Sequence, residues 1–301
     1  MRHSASEPEE YNVHPVYRPD IDGLRAVAIL SVVIFHAFPF RLPGGFVGVD
    51  VFFVISGFLI STIIFRSLQR GDFSFTEFYA HRINRIFPGL IVVMTACYAF
   101  GWFALFPDEF KQLGKHIAAG AGFTLNFDLW REVGYFDTEA ELKPLLHLWS
   151  LAIEEQFYLI FPVLIFAVWR IGLNVLTVVL VLGLISFGLN ISGVTANPTK
   201  TFFMPQTRVW ELLAGAVLAY LQFFKKAKLS AWMQHWAFHP ILFRHPPESA
   251  RRREILNNIL SVVGLLLLVC AIFFHQQEQA VSWVVGVTTR IGSVSPDTSW
   301  P

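Results

Sequence analysis

Charge is scarce in this chain. Asp, Glu, Lys and Arg make up 15% of its 301 residues, against 54% hydrophobic and 16% aromatic. That balance excludes an ordinary soluble domain, in which roughly a quarter of the residues are charged. Cysteine is nearly absent: Cys97 and Cys270 both sit in apolar runs, which reads as two buried, inert thiols and not as a disulfide framework. No charge of one sign dominates, since the net charge is +1, so long-range attraction to nucleic acid is excluded as an organising principle. No nucleic-acid partner and no metal are expected. Residues 1–21 are polar, with Glu7, Glu9 and Glu10, and lack the basic start and small-residue cleavage site of a secretory leader. The first apolar helix is therefore expected to stay as an anchor. No internal repeat and no appended soluble module is visible.

What the chain has instead is 31 phenylalanines and long apolar runs, more than a core of this length can hide from water. Runs long enough to cross a bilayer fall at residues 24–40, 46–66, 86–106, 151–170, 171–191, 205–224 and 255–275. A weaker stretch at 113–127 is broken by Lys115, His116 and Asn126 and reads as re-entrant or tilted. The expected fold is an all-α, polytopic transmembrane bundle of seven to eight apolar segments. Its expected parts are a polar N-terminal tail (1–16), a membrane domain (17–275) and a short C-terminal tail (276–301).

Lys and Arg gather in cytoplasmic loops. The stretch 66–85 holds Arg66, Arg70, Arg82 and Arg85, and 225–254 holds Lys225, Lys226, Lys228, Arg244, Arg251, Arg252 and Arg253. Both are expected in the cytoplasm with the N-terminus, leaving 128–150, with Asp137, Glu139 and Glu141, outside.

An ionisable group in a span usually faces protein or water and marks a working site. Arg25 and His36 lie eleven residues apart in the first apolar segment. That is about three turns, so they share one stripe at roughly 16 Å separation along the axis. Histidine suits proton transfer near neutrality, and an arginine fork suits phosphate. Asp22 either caps this helix or holds Arg25. In "HLWSLAIEEQFYLIFP", His147, Ser150 and Glu154 fall within about a 60° arc, with Glu155 to one side. Arg82 and Arg85, three apart, form a candidate anionic clamp; Arg208 and Glu211, also three apart, form a candidate ion pair in the membrane. Asp50, among glycines at the start of the second segment, is within reach of Arg25 or His36 if the helices pack closely.

Five stretches occur in order: "YRPDIDGLRAVAILSVVIFHAF", "GGFVGVDVFFVISGFLIS", "FYAHRINRIFPGL", "HLWSLAIEEQFYLIFP" and "RVWELLAGAVLAY". Together they resemble the acyltransferase family 3 membrane proteins, which O-acylate sugars of the bacterial envelope. The resemblance implies transfer of an acyl group, commonly acetyl, from cytoplasmic acyl-CoA to a carbohydrate hydroxyl, in the bacterial inner membrane. It implies His36 as the catalytic histidine, Arg25, Arg82 and Arg85 as donor-binding or structural positions, and Ser150, Glu154 and Glu155 as part of a Trp-Ser plus Glu-Glu signature. On this reading Glu154 or Asp50 orients the His36 ring. The acceptor stays open among lipopolysaccharide, peptidoglycan, exopolysaccharide and a small glycoside, and oligomeric state is silent. Relatives usually continue through further spans, so the chain is expected to be a short or incomplete form. Two other classes stay open: a transporter or flippase using Arg, His and Glu as a proton relay, and an inactive scaffold.

Overall fold

The computed structural model describes residues 18–38, 40–132, 143–225 and 249–274. The tails expected at 1–16 and 276–301, the acids Asp137, Glu139 and Glu141, and the basic residues Lys226, Lys228 and Arg244 lie outside the described residues. So do the side chains of Arg251, Arg252 and Arg253.

Among the described residues there are ten helices and no strands: α1 (Pro19–Ala37), α2 (Val47–Arg70), α3 (Phe75–Ala104), α4 (Pro107–Ala121), α5 (Leu125–Glu132), α6 (Leu148–Ile171), α7 (Val175–Ala196), α8 (Pro198–Phe203), α9 (Pro205–Phe224) and α10 (Ser249–Phe274). Local chemistry sets their ends. Proline opens α1, α4, α8 and α9, where its missing N–H costs no helix bond. Ser74 and Asn174 cap α3 and α7 by accepting from Glu77 N and Thr177 N. The left-handed Gly71 and Gly172, both at φ 78°, close α2 and α6.

Among the described residues, five helices are long and apolar enough to cross a membrane: α2, α3, α6, α7 and residues 254–273 of α10. Of the seven to eight segments expected from the sequence, five meet this measure among the described residues. α1 carries Asp20, Asp22 and Arg25 in its first two turns. α9 carries Arg208 and Glu211 and is packed between α2 and α7, so it has no need of an apolar surface all round. The weak stretch is no single segment, since residues 122–124 break it into the end of α4 and the start of α5, with Phe123 at φ 53° in the turn. α3 starts at Phe75, so Arg82 and Arg85 belong to a helix and not to a loop.

The centre of the bundle is the α2–α9 crossing. The two helices run parallel: Asp50 meets Arg208, Gly57 meets Leu212 and Gly215, and Phe65 meets Tyr220 and Phe224. A Cβ on Gly57 would land on the Leu212 carbonyl, and one on Gly215 on the Val54 carbonyl. Only glycine permits that approach. α6 descends beside them, filling the interior with Ile153, Phe161 and Ile165, while α3 rises against α6 through Phe75–Phe166 and the Tyr79 hydroxyl, which donates to Leu159 O at 2.8 Å.

Outward faces are apolar and bare, as at Phe103 (88% exposed) and Leu267 (66%). Such a surface is unfavourable in water and suited to lipid; this is a membrane protein. Cys97 and Cys270 are free thiols, and Cys270 is exposed on α10, not buried as expected. Arg66, Arg70 and Lys225 lie at one end of the bundle, at the C-termini of the parallel α2 and α9. The last turns of α1 and α10 and the start of α6 lie at the other, where Gly44 N donates to Ile272 O at 3.0 Å.

Candidate functional site

His36 stands in the last turn of α1. Its Nδ1 lies 2.8 Å from the Val32 carbonyl one turn back. A carbonyl only accepts, so Nδ1 carries the hydrogen and Nε2 is left with its lone pair outward. The ring meets that of His147 edge to face, centroids 4.5 Å apart at 81°. His147 is the N-cap of α6, and the Ser150 hydroxyl donates to its carbonyl at 3.2 Å. His147 is exposed at the surface, yet partial burial and the charge of nearby His36 both lower its pKa.

Arg25, on the same stripe of α1, lies over the Phe52 ring of α2 at 5.5 Å, and its Nη1 is 3.8 Å from Asp22. Its Nε is buried without a hydrogen-bond partner. Asp22 therefore serves Arg25; the N-cap position belongs to Arg18, whose guanidinium bonds Asp20 at 2.6 Å.

Two carboxylates expected near His36 are engaged elsewhere. Asp50 contacts neither Arg25 nor His36 but accepts from Arg208 at 2.6 Å, because the glycine crossing brings α9, not α1, alongside it. Arg208 also meets Glu211 at 3.0 Å, as its spacing suggested, and is ringed by Phe53, Trp149 and Phe202 within 5.9 Å. Glu154 is turned into the bundle, where it accepts from the Tyr158 hydroxyl one turn on. Neither acid orients the His36 ring; the Val32 carbonyl and His147 occupy those places.

A cavity of about 930 Å³ opens between α3, α6, α7 and α9, walled mostly by apolar side chains with Arg82, Glu155, Gln156 and Tyr158 at its polar part. Arg82 stacks over the Tyr158 ring at 4.5 Å. Arg85 is exposed and does not line this space, so the two arginines do not close as one fork. His36 and Arg25 do not line it either. The sequence reading missed Tyr158, although its position four residues after Glu154 was a helical signal. It also missed the cluster in which buried His116 meets Glu132 at 2.8 Å and Lys143 meets the same carboxylate at 3.0 Å. No local spacing ties residues 116, 132 and 143 together.

The family described as an acyltransferase domain matches residues 18–295. This chain belongs to that family. It is 37% identical to the O-acetyltransferase OatA of Staphylococcus aureus (strain NCTC 8325 / PS 47) over 216 residues, 69% of this chain and 35% of that protein. It is 32% identical to the peptidoglycan O-acetyltransferase OatA of Listeria monocytogenes over 272 residues, 87% of this chain and 40% of the relative. The chain thus matches roughly two fifths or less of the length of these relatives. No solved structure matches. The family's match begins at Arg18, the residue before α1, and takes in every helix that holds the polar groups above.

Proposed function

We propose that this acyltransferase-domain protein is a multi-pass O-acyltransferase of the bacterial inner membrane, moving an acetyl group from acetyl-CoA to a hydroxyl of an envelope carbohydrate. The observation that carries the reading is His36, whose Nδ1–H is committed to Val32 O and whose Nε2 is free to take a proton. In this scheme Nε2 removes the hydroxyl proton as the oxygen attacks the thioester carbonyl. The C–O bond forms, the C–S bond breaks, and the imidazolium returns the proton to the leaving thiolate. Arg25 and Arg82 are the cations available to the anionic donor. Arg25 offers a buried Nε without a hydrogen-bond partner, and Arg82 sits at the polar part of the large cavity. Arg85, exposed one turn further on, is a donor contact only outside that cavity. Ser150 and Glu155 belong to the signature around α6, Ser150 supporting the His147 turn and Glu155 facing the cavity.

The basic end, with Arg66, Arg70 and Lys225, faces the cytoplasm on this reading, which sets His36 toward the outer face, where envelope glycans lie. A relative named for peptidoglycan makes that polymer the first acceptor to try. Protein purified in detergent, given radiolabelled acetyl-CoA and peptidoglycan fragments, is expected to form base-labile acetyl ester. His36→Ala is expected to lower the rate at least about a hundredfold while the melting temperature holds. A His36→Ala variant with undiminished transfer refutes the scheme. A transporter reading predicts no ester in either protein.

A further inference from the structure

We propose that His147 is the positioning partner of His36: a second imidazole that stands edge to face against the reactive ring and fixes its orientation, while Val32 O takes the Nδ1 hydrogen. The inference rests on the acyltransferase reading for its kinetic consequence and on geometry for its cause.

The His36 ring has three neighbours among the described residues, of which the Phe35 ring, edge to face at 5.0 Å, and Val32 O belong to its own helix and His147 comes from α6. Val32 O takes the Nδ1 hydrogen, and His147 packs on the ring edge to face at 4.5 Å. A backbone carbonyl selects the tautomer but carries no formal charge to steady the imidazolium formed as the hydroxyl loses its proton. The acids that could do so are bonded to Tyr158 and Arg208. An aromatic ring beside a cation supplies part of that stabilisation, provided it stays neutral itself. His147 meets this condition twice. It stands at the positive end of α6, where a cation is disfavoured, and burial and the His36 charge lower its pKa. The pair thus carries one positive charge, on His36, during transfer.

His147 is also held from outside the site. The turn that carries it is closed by Leu146 N donating to Lys143 O and Trp149 N to Leu146 O, at 3.0 and 3.2 Å. Lys143 in turn is tied to Glu132, which receives buried His116 from α4. The outer hairpin α4–α5 therefore sets the height at which His147 meets His36.

The test compares His147→Ala, His147→Phe and His147→Gln in the full chain in detergent. Loss of the ring is expected to lower kcat about tenfold or more while KM for acetyl-CoA moves by less than about twofold; Phe is expected to recover the rate to within about threefold, and Gln is not. Unchanged kcat in His147→Ala overturns the proposal. So does activity in His147→Gln equal to or above that of His147→Phe, which would make His147 a hydrogen-bonding or proton-carrying group. A readout independent of turnover separates this idea from the assigned reaction. In NMR spectra of histidine-labelled protein, contacts from the His36 ring protons to α1 should define one ring orientation in the parent and in His147→Phe and an averaged one in His147→Ala. If the parent transfers no acetyl, the acyltransferase reading fails and the spectra still decide the pairing: one unchanged ring orientation in all three proteins refutes it.

Discussion

At the scale of single residues, the polar groups sort by whether their charge is met. Glu132 shows how strongly burial matters. Burial alone would raise its pKa, but Lys143 and His116, both within 3.0 Å, reverse this and hold it below its ordinary 4.5. The folded state therefore prefers the carboxylate, and the stability this contributes is fully present above about pH 4.5 and lost as pH falls through the lower folded value. Melting temperature in detergent is expected to be level from pH 7 down to about 5 and then to drop. In Glu132→Gln the melting temperature should start lower and fall less on acidification. An equal acid-side drop in both proteins would mean that this cluster does not govern the transition. The residue types of this site were legible in the sequence; their partners were not. Arg208 and Glu211 share a helix face, so spacing sufficed to pair them. Asp50 lies 158 residues from Arg208, and only the crossing of two helices decides which of several cations it meets.

At the scale of elements, the α2–α9 contact is the least forgiving place in the fold. A side chain at Gly215 would strike the Val54 carbonyl and the Gly57 backbone, atoms that no rotamer change can clear. Gly215→Val is expected to destabilise by about 3 kcal/mol or more, toward the upper end of overpacking effects, and to release the Asp50–Arg208 contact. Gly188→Val on α7, where a Cβ meets nothing within 4 Å, is the matched control and should melt close to the parent. Comparable melting of the two variants would count against a tight crossing. Helix positions were readable from runs of apolar residues because the bilayer enforces length. Their ends were less so. α3 begins some ten residues before its apolar run, since Ser74 caps a polar first part carrying His81, Arg82 and Arg85. The 113–127 stretch concealed a turn whose defining residue is Phe123, a type that rarely adopts positive φ.

At the scale of the whole molecule, chain direction alternates so that Arg66 and Arg70 share one end with Lys225. With this end in the cytoplasm, a cysteine placed at Gln69 in a Cys97→Ser, Cys270→Ser background should react with a membrane-impermeant maleimide only after the inner face is opened. A cysteine at Arg41, in the loop beside His36, should react in intact spheroplasts. The reverse pattern would invert the assigned orientation. All-helical class and membrane residence followed from composition alone. The number of helices able to span unaided did not, because a helix sheathed by its neighbours, as α9 is, can carry charges that a lipid-facing one cannot.

The long separation between Asp50 and Arg208 has a bearing on biogenesis. α2 leaves the ribosome long before α9, so during synthesis its acid enters the membrane region with its eventual guanidinium not yet made. Until α9 slides in along the glycine groove, the nascent bundle holds an open seam and an uncompensated acid, a state that insertion chaperones would shield and membrane proteases would recognise.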